Sequence, residues 1–137
     1  MTRHIDLVVV HCTATKPSQN INIDDVRQWH VDKGWSDVGY HYVIDRQGAL
    51  QHGRPEASKG AHAKGYNALS IGVCLVGGVD EQGVPDANFT KAQYDTLKFL
   101  LNNLTVKYPD ARVLGHRDLP GVHKQCPCFD VQSWWGV

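Results

Sequence analysis

The chain has 137 residues, 14 Lys and Arg against 14 Asp and Glu, and 42% apolar residues, which predicts one compact domain over residues 1–137 and leaves no length for a second. A formal charge of zero supplies no cluster of Lys and Arg to neutralise a phosphate backbone, so nucleic acid is not an expected partner. The apolar run Leu7-Val8-Val9-Val10 is too short for a signal-peptide core or a membrane span, so synthesis in the cytoplasm without membrane insertion is expected, and the four cysteines read as reduced thiols or metal ligands.

Ile5 to His11 is a short apolar, β-branched run, the pattern of a strand buried on both faces. Pro17, Ser18 and Asn20 then mark a loop, and Ile23, Val26 and Trp29/His30 recur at helical spacing behind Asn22 as N-cap, with Gly34 as the stop. Tyr40 to Ile44 alternates as a strand, Arg46-Gln47-Gly48 turns, and Ala49 to His52 returns as the second arm of a hairpin. Gly53 to Asn67 has no periodicity and predicts a long surface loop, a class of segment that usually carries function. Ser70 to Val76 is a second core strand, and 77–85 is rich in turn residues. Thr90 and Gln93 form a capping box ahead of Tyr94, Leu97, Leu101, Leu104 and Tyr108, and Pro109 stops this helix. Arg112 to Gly115 is a final strand ending at His116, and a loop through Pro120 and Pro127 leads to Trp134-Trp135, expected to seal the core rather than stack on a sugar. Strands alternating with helices predict an α/β domain, a central mixed β-sheet flanked by helices.

Histidine is the compositional outlier, with eight copies. Ligands collect beyond strand ends in sheets of this class, and His11 and His116 each sit at the C-terminal end of a predicted strand. If those strands are parallel neighbours the two imidazoles meet. Cys126 lies ten residues past His116 on a loop that must fold back, so two His and one Cys can close three sides of a tetrahedron, the ligand count of a catalytic zinc site. Spacing by itself does not decide this, because the chain lacks a local Cys-x-x-Cys or His-Glu-x-x-His signature. Cys12 and Cys74 read as small core residues, pointing away from such a site or lying within an apolar strand.

The segments Val9-Val10-His11-Cys12-Thr13-Ala14-Thr15-Lys16-Pro17-Ser18, Gly34-Trp35 with Val38-Gly39-Tyr40-His41-Tyr42, Gly60-Ala61-His62-Ala63-Lys64-Gly65-Tyr66-Asn67, Ser70-Ile71-Gly72-Val73 and Lys124-Gln125-Cys126-Pro127 follow one another in a recognisable order. Together they resemble the zinc-dependent N-acetylmuramoyl-L-alanine amidases of type 2, which share their fold with peptidoglycan recognition proteins, and most closely the small phage lysozymes that are amidases. The resemblance implies Zn2+ held by His11, His116 and Cys126, Tyr40 and Lys124 as catalytic side chains, and His62 and Asn67 as substrate-binding residues. It implies a peptidoglycan substrate, cut at the amide joining N-acetylmuramic acid to L-alanine, by a monomer that reaches the wall after release or delivery. The alternatives are a protein of the same fold that binds peptidoglycan without catalysis, and a regulatory role through a protein partner, compatible with hydrolysis. Because periodicity does not separate Cys126 from Cys128, the family pattern makes the choice of Cys126. One departure from that pattern is a slightly longer interval between His116 and Cys126, filled by Leu119-Pro120-Gly121-Val122. His41 is expected to be structural, and His4, His30, His52 and His123 carry no expected role.

Overall fold

A computed structural model of the protein describes residues 3–136; residues 1, 2 and 137 of the expected domain lie outside it. Five strands, β1 (Leu7–Cys12), β2 (Tyr42–Ile44), β3 (Leu50–His52), β4 (Ser70–Leu75) and β5 (Arg112–Gly115), form one sheet in the order β3-β2-β4-β1-β5. The β2–β3 pair is an antiparallel hairpin, and the β2–β4, β4–β1 and β1–β5 pairs are parallel, so the sheet is mixed as its pattern predicts.

Helix α1 spans Ile23–Asp32 and α2 spans Lys91–Lys107. Both begin where their caps dictate: the Asn22 side chain accepts from the backbone of Asp24 and Asp25, and Thr90 and Gln93 cap each other reciprocally. The pleat of β1 then sorts the core. Val8, Val10 and Cys12 face one way, into a cluster with Leu97, Leu101 and Leu104 of α2. Val9 faces the other way, beside Leu114, Leu119 and Ala63, and the same alternation sends His11 to that second face. Full burial of Leu97 and Leu101 contributes roughly 1.5–3 kcal/mol each, which fixes the register that carries His11 to the opposite side.

Three expectations are corrected. The strand predicted from Tyr40 begins only at Tyr42, because Tyr40 and His41 turn their carbonyls to Arg54 N–H (3.0 Å) and Gly53 N–H (2.9 Å) while Gly39 C=O takes Ala61 N–H (2.9 Å), tying the segment to the following loop. Gly39 permits this, since a Cβ there would collide with the Ala61 carbonyl. The expected loop 53–67 ends in a 3-10 turn, Asn67–Leu69, which feeds β4 directly. The C-terminal stretch read as loop contains a short helix, α3 (Val131–Trp135), capped by the Asp130 side chain. Trp134 on α3 packs against Tyr94 of α2 (ring centroids 5.7 Å) and Phe129 (6.1 Å). The Trp134-Trp135 pair thus joins the core cluster.

Candidate active site

Val10 of β1 pairs with Gly115 of β5, so the next residues, His11 near the end of β1 and His116 just past β5, stand side by side with ring centroids 4.5 Å apart. The chain after His116 folds back through a 3-10 turn, where Arg117 N–H reaches the Cys126 carbonyl at 2.8 Å. The Cys126 sulfur there accepts the Cys12 backbone N–H at 3.2 Å. Ligand atoms of His11, His116 and Cys126 lie within 4.8 Å of one another, and among the described residues this is the group of His, Cys and carboxylate side chains close enough to hold a metal ion. Two imidazoles and one thiolate are a zinc donor set, so the residues fit the ion that the resemblance implies. Burial holds the His11 pKa well below 6.5, with His62, His116 and Lys124 adding to the effect; burial and Lys124 also lower that of His116. Both rings are therefore neutral, with lone pairs available, at neutral pH.

The segment from Gln125 to Cys128 is a turn, not an extended run: Cys128 N–H returns to the Gln125 carbonyl at 2.6 Å and Cys128 has φ +72°. This geometry separates two thiols that periodicity leaves equivalent. Both thiols pack against the main core cluster, but only Cys126 joins the two histidines in the donor group; at Cys128 burial and the neighbouring Cys12 raise the pKa to about 11 and keep it a thiol.

Beside the histidines opens a groove of about 710 Å³ whose walls include Trp35, His62, Asn67, His116 and Lys124. The longer interval after His116 places Gly121 and Val122 on this wall without removing Lys124 from it. The Tyr40 ring lies 5.1 Å from His11, and burial, with Cys74 and Cys126 nearby, keeps its phenol protonated well above pH 10. Asn67 Oδ1 accepts both His62 N–H and Ala63 N–H at 2.9 Å, so the Nδ2 amine is the end of this side chain left to reach a ligand in the groove.

The loop that carries His62 is held by residues the sequence did not single out. The Arg3 guanidinium donates to the carbonyls of Glu56 (2.7 Å), Asn67 (3.1 Å) and Ser70 (3.1 Å), joining both limbs of the loop. The Glu56 carboxylate accepts from Tyr42 and from Tyr108 (2.6 Å) and pairs with Lys107 (2.9 Å), which anchors the loop to the end of α2. His41 is buried, its Nδ1 accepting Gly72 N–H at 3.0 Å.

His30, given no role from sequence, supports Tyr40 from behind. Its Nδ1 accepts Gly39 N–H at 2.7 Å, and its ring lies 5.5 Å from Tyr40 and 4.5 Å from Trp35. Burial, followed by Lys33 and Arg54, lowers its pKa from 6.5 to about 4. Between those values the unfolded chain binds the extra proton, so this contribution to stability is complete above pH 6.5 and is lost as pH falls toward 4. The loss at pH 5 is about 2 kcal/mol. The melting temperature of the metal-free protein should fall from pH 7 to pH 5, and His30→Gln should give a shallower slope; parallel slopes would contradict the assignment.

The sequence profile of the N-acetylmuramoyl-L-alanine amidase family matches residues 1–129. The endolysin of Escherichia phage T7 is 52% identical over 130 residues, 95% of this chain and 85% of that protein. Among solved structures, the N-acetylmuramoyl-L-alanine amidase LysC from Clostridium intestinale URNW superposes with a TM-score of 0.82 at 28% identity, covering 96% of this chain and 82% of that one. Drosophila PGRP-LB follows with a TM-score of 0.74 at 27% identity, over 93% of this chain and 76% of its own. With nearly its whole length matched by one family and about half its residues shared with a phage member, the chain belongs to the N-acetylmuramoyl-L-alanine amidase family and is a peptidoglycan amidase.

Proposed function

We propose that the protein is a zinc-dependent endolysin: His11, His116 and Cys126 hold the ion, and the enzyme cleaves the amide between N-acetylmuramic acid and L-alanine during host lysis. The observation that carries this reading is the convergence of three zinc-type donors within 4.8 Å at the side of the groove. A binding-only protein of this fold has no use for the third ligand, and Cys126 supplies it. When bound, zinc provides a water of pKa about 7 and a Lewis acid for the amide carbonyl.

The chain's own side chains do the rest. Lys124, exposed on the groove wall, brings an ammonium to the place where negative charge develops on the carbonyl oxygen. Tyr40, kept neutral by burial, donates a hydrogen bond that orients water or the scissile amide. The Asn67 amide and the His62 imidazole line the groove beside the stem peptide. The enzyme works as a monomer and meets peptidoglycan after release from the cytoplasm. Among the described residues no helix is long and apolar enough to cross a membrane.

Chelation should abolish release of wall fragments, and one equivalent of zinc should restore it, followed by turbidity of purified peptidoglycan and by metal analysis. Full activity in metal-free protein would refute the zinc assignment.

A further inference from the structure

The geometry points to a hydrogen-bond relay, Tyr66 C=O to Ser70 to His62 to His11, that sets the tautomer of His11 and aims its Nδ1 lone pair at the metal position. The inference rests on the zinc reading above and deepens it, making His62 and Ser70 positioning residues for a ligand. Three contacts carry it. The Ser70 hydroxyl lies 2.8 Å from the Tyr66 carbonyl and 3.1 Å from His62 Nε2, and His62 Nδ1 lies 2.8 Å from His11 Nε2.

The proton directions in this chain are forced from one end. A carbonyl oxygen only accepts, so Ser70 spends its single proton on Tyr66 and must accept from His62. His62 therefore carries its proton on Nε2, which leaves Nδ1 bare in the neutral ring. A bare Nδ1 must accept, so His11 carries its proton on Nε2. Its remaining lone pair is on Nδ1, and a neutral imidazole ligates through its lone pair. A metal-ligating histidine commonly donates its second N–H to a fixed acceptor, and that acceptor governs ring orientation and ligand basicity. Here the acceptor is another imidazole, and its own state is fixed by a buried serine.

The relay is built into the fold. A Cβ on Gly72 would lie 2.6 Å from the His62 ring and one on Gly60 2.7 Å from it, so both glycines make room for this ring on the surface of β4. Asn67 fixes the His62 backbone, and the 3-10 turn Asn67–Leu69 brings the Tyr66 carbonyl over Ser70. A residue serving only to touch substrate needs no such chain behind it.

Two-bond proton–nitrogen correlation spectra of the metal-free wild-type protein test the proton positions without any substitution. Protons on Nε2 of both His11 and His62 are expected; a proton on Nδ1 of His11 would overturn the relay. Zinc affinity, measured by competition with a chromophoric chelator, gives the second readout. His62→Ala should weaken zinc binding about 10- to 100-fold at unchanged circular dichroism. Ser70→Ala should act in the same direction, and His62→Asn, whose Oδ1 can accept from His11, should recover part of the loss. Wild-type affinity in His62→Ala and Ser70→Ala would sink the relay and leave His62 as a substrate contact. Failure of the wild-type protein to bind zinc would instead refute the metal reading, an outcome the spectra of the metal-free protein keep separate.

Discussion

Cys126→Ser should empty the metal site and end wall digestion, while Cys128→Ser should leave zinc content and rate near those of the unmodified protein. The two thiols are separated by one residue, yet the turn from Gln125 to Cys128 sends them to different places. Cys126 stands within 4.8 Å of the imidazole ligand atoms and takes the Cys12 N–H. Cys128 lies outside that donor group, its pKa raised to about 11 by burial and the neighbouring Cys12. Replacing sulfur by a hydroxyl at Cys126 removes one of three protein ligands, so its cost should exceed the roughly 10- to 100-fold that follows loss of a supporting partner. Zinc analysis of the two purified variants decides the matter. The reverse pattern would move the site two residues along the chain, and metal loss in both would indicate a closed, structural site with four protein ligands.

Tyr40→Phe and Lys124→Ala should keep zinc and lose rate. Neither side chain belongs to the donor group, so metal content should stay at one equivalent. Removing an ammonium from the developing oxyanion, or a hydroxyl that orients the reacting groups, should lower kcat about 10- to 1000-fold with smaller change in KM, as expected for contacts made mainly in the transition state. Tyr40→Phe preserves the ring that packs against His30 and His11, so a loss there reports the hydroxyl. Lys124 is exposed, so its removal should not disturb the fold. Full rate in either variant, or a protein that sheds its zinc, would refute the assigned role.

What the sequence makes legible follows the range of the interactions involved. The β1 run and the caps Asn22 and Thr90 are local signals, and the structure places their elements within one or two residues of the expected positions. His11 and His116 can be paired from sequence because each sits at the C-terminal end of a strand, and a parallel β1–β5 register brings those ends together. The start of β2 is not legible because the Tyr40 and His41 carbonyls accept from Arg54 and Gly53, 14 and 12 residues further along the chain, which alternation cannot reveal. Helix α3 is five residues long, below the span over which helical periodicity can be recognised, and only the Asp130 cap marked it. The tasks of Arg3, His30 and Ser70 are not legible for a related reason: their partners are set by the fold, and an isolated Arg, His or Ser carries no local signature of its task. Arg3 bonds to Ser70 across 67 residues. Gly72 does carry a signal, since a glycine inside a buried strand marks a close approach, here the one made by the His62 ring.

The central claim concerns the bond that is cut, and product analysis addresses it most directly. Purified peptidoglycan should be digested with the zinc-loaded protein, and new amino groups and new reducing sugar ends assayed in the same sample. The site predicts new N-terminal L-alanine in proportion to wall solubilisation, with reducing ends unchanged from the undigested control. Reducing ends that rise while amino groups stay constant would contradict the amidase assignment and the roles given to His11, His116 and Cys126.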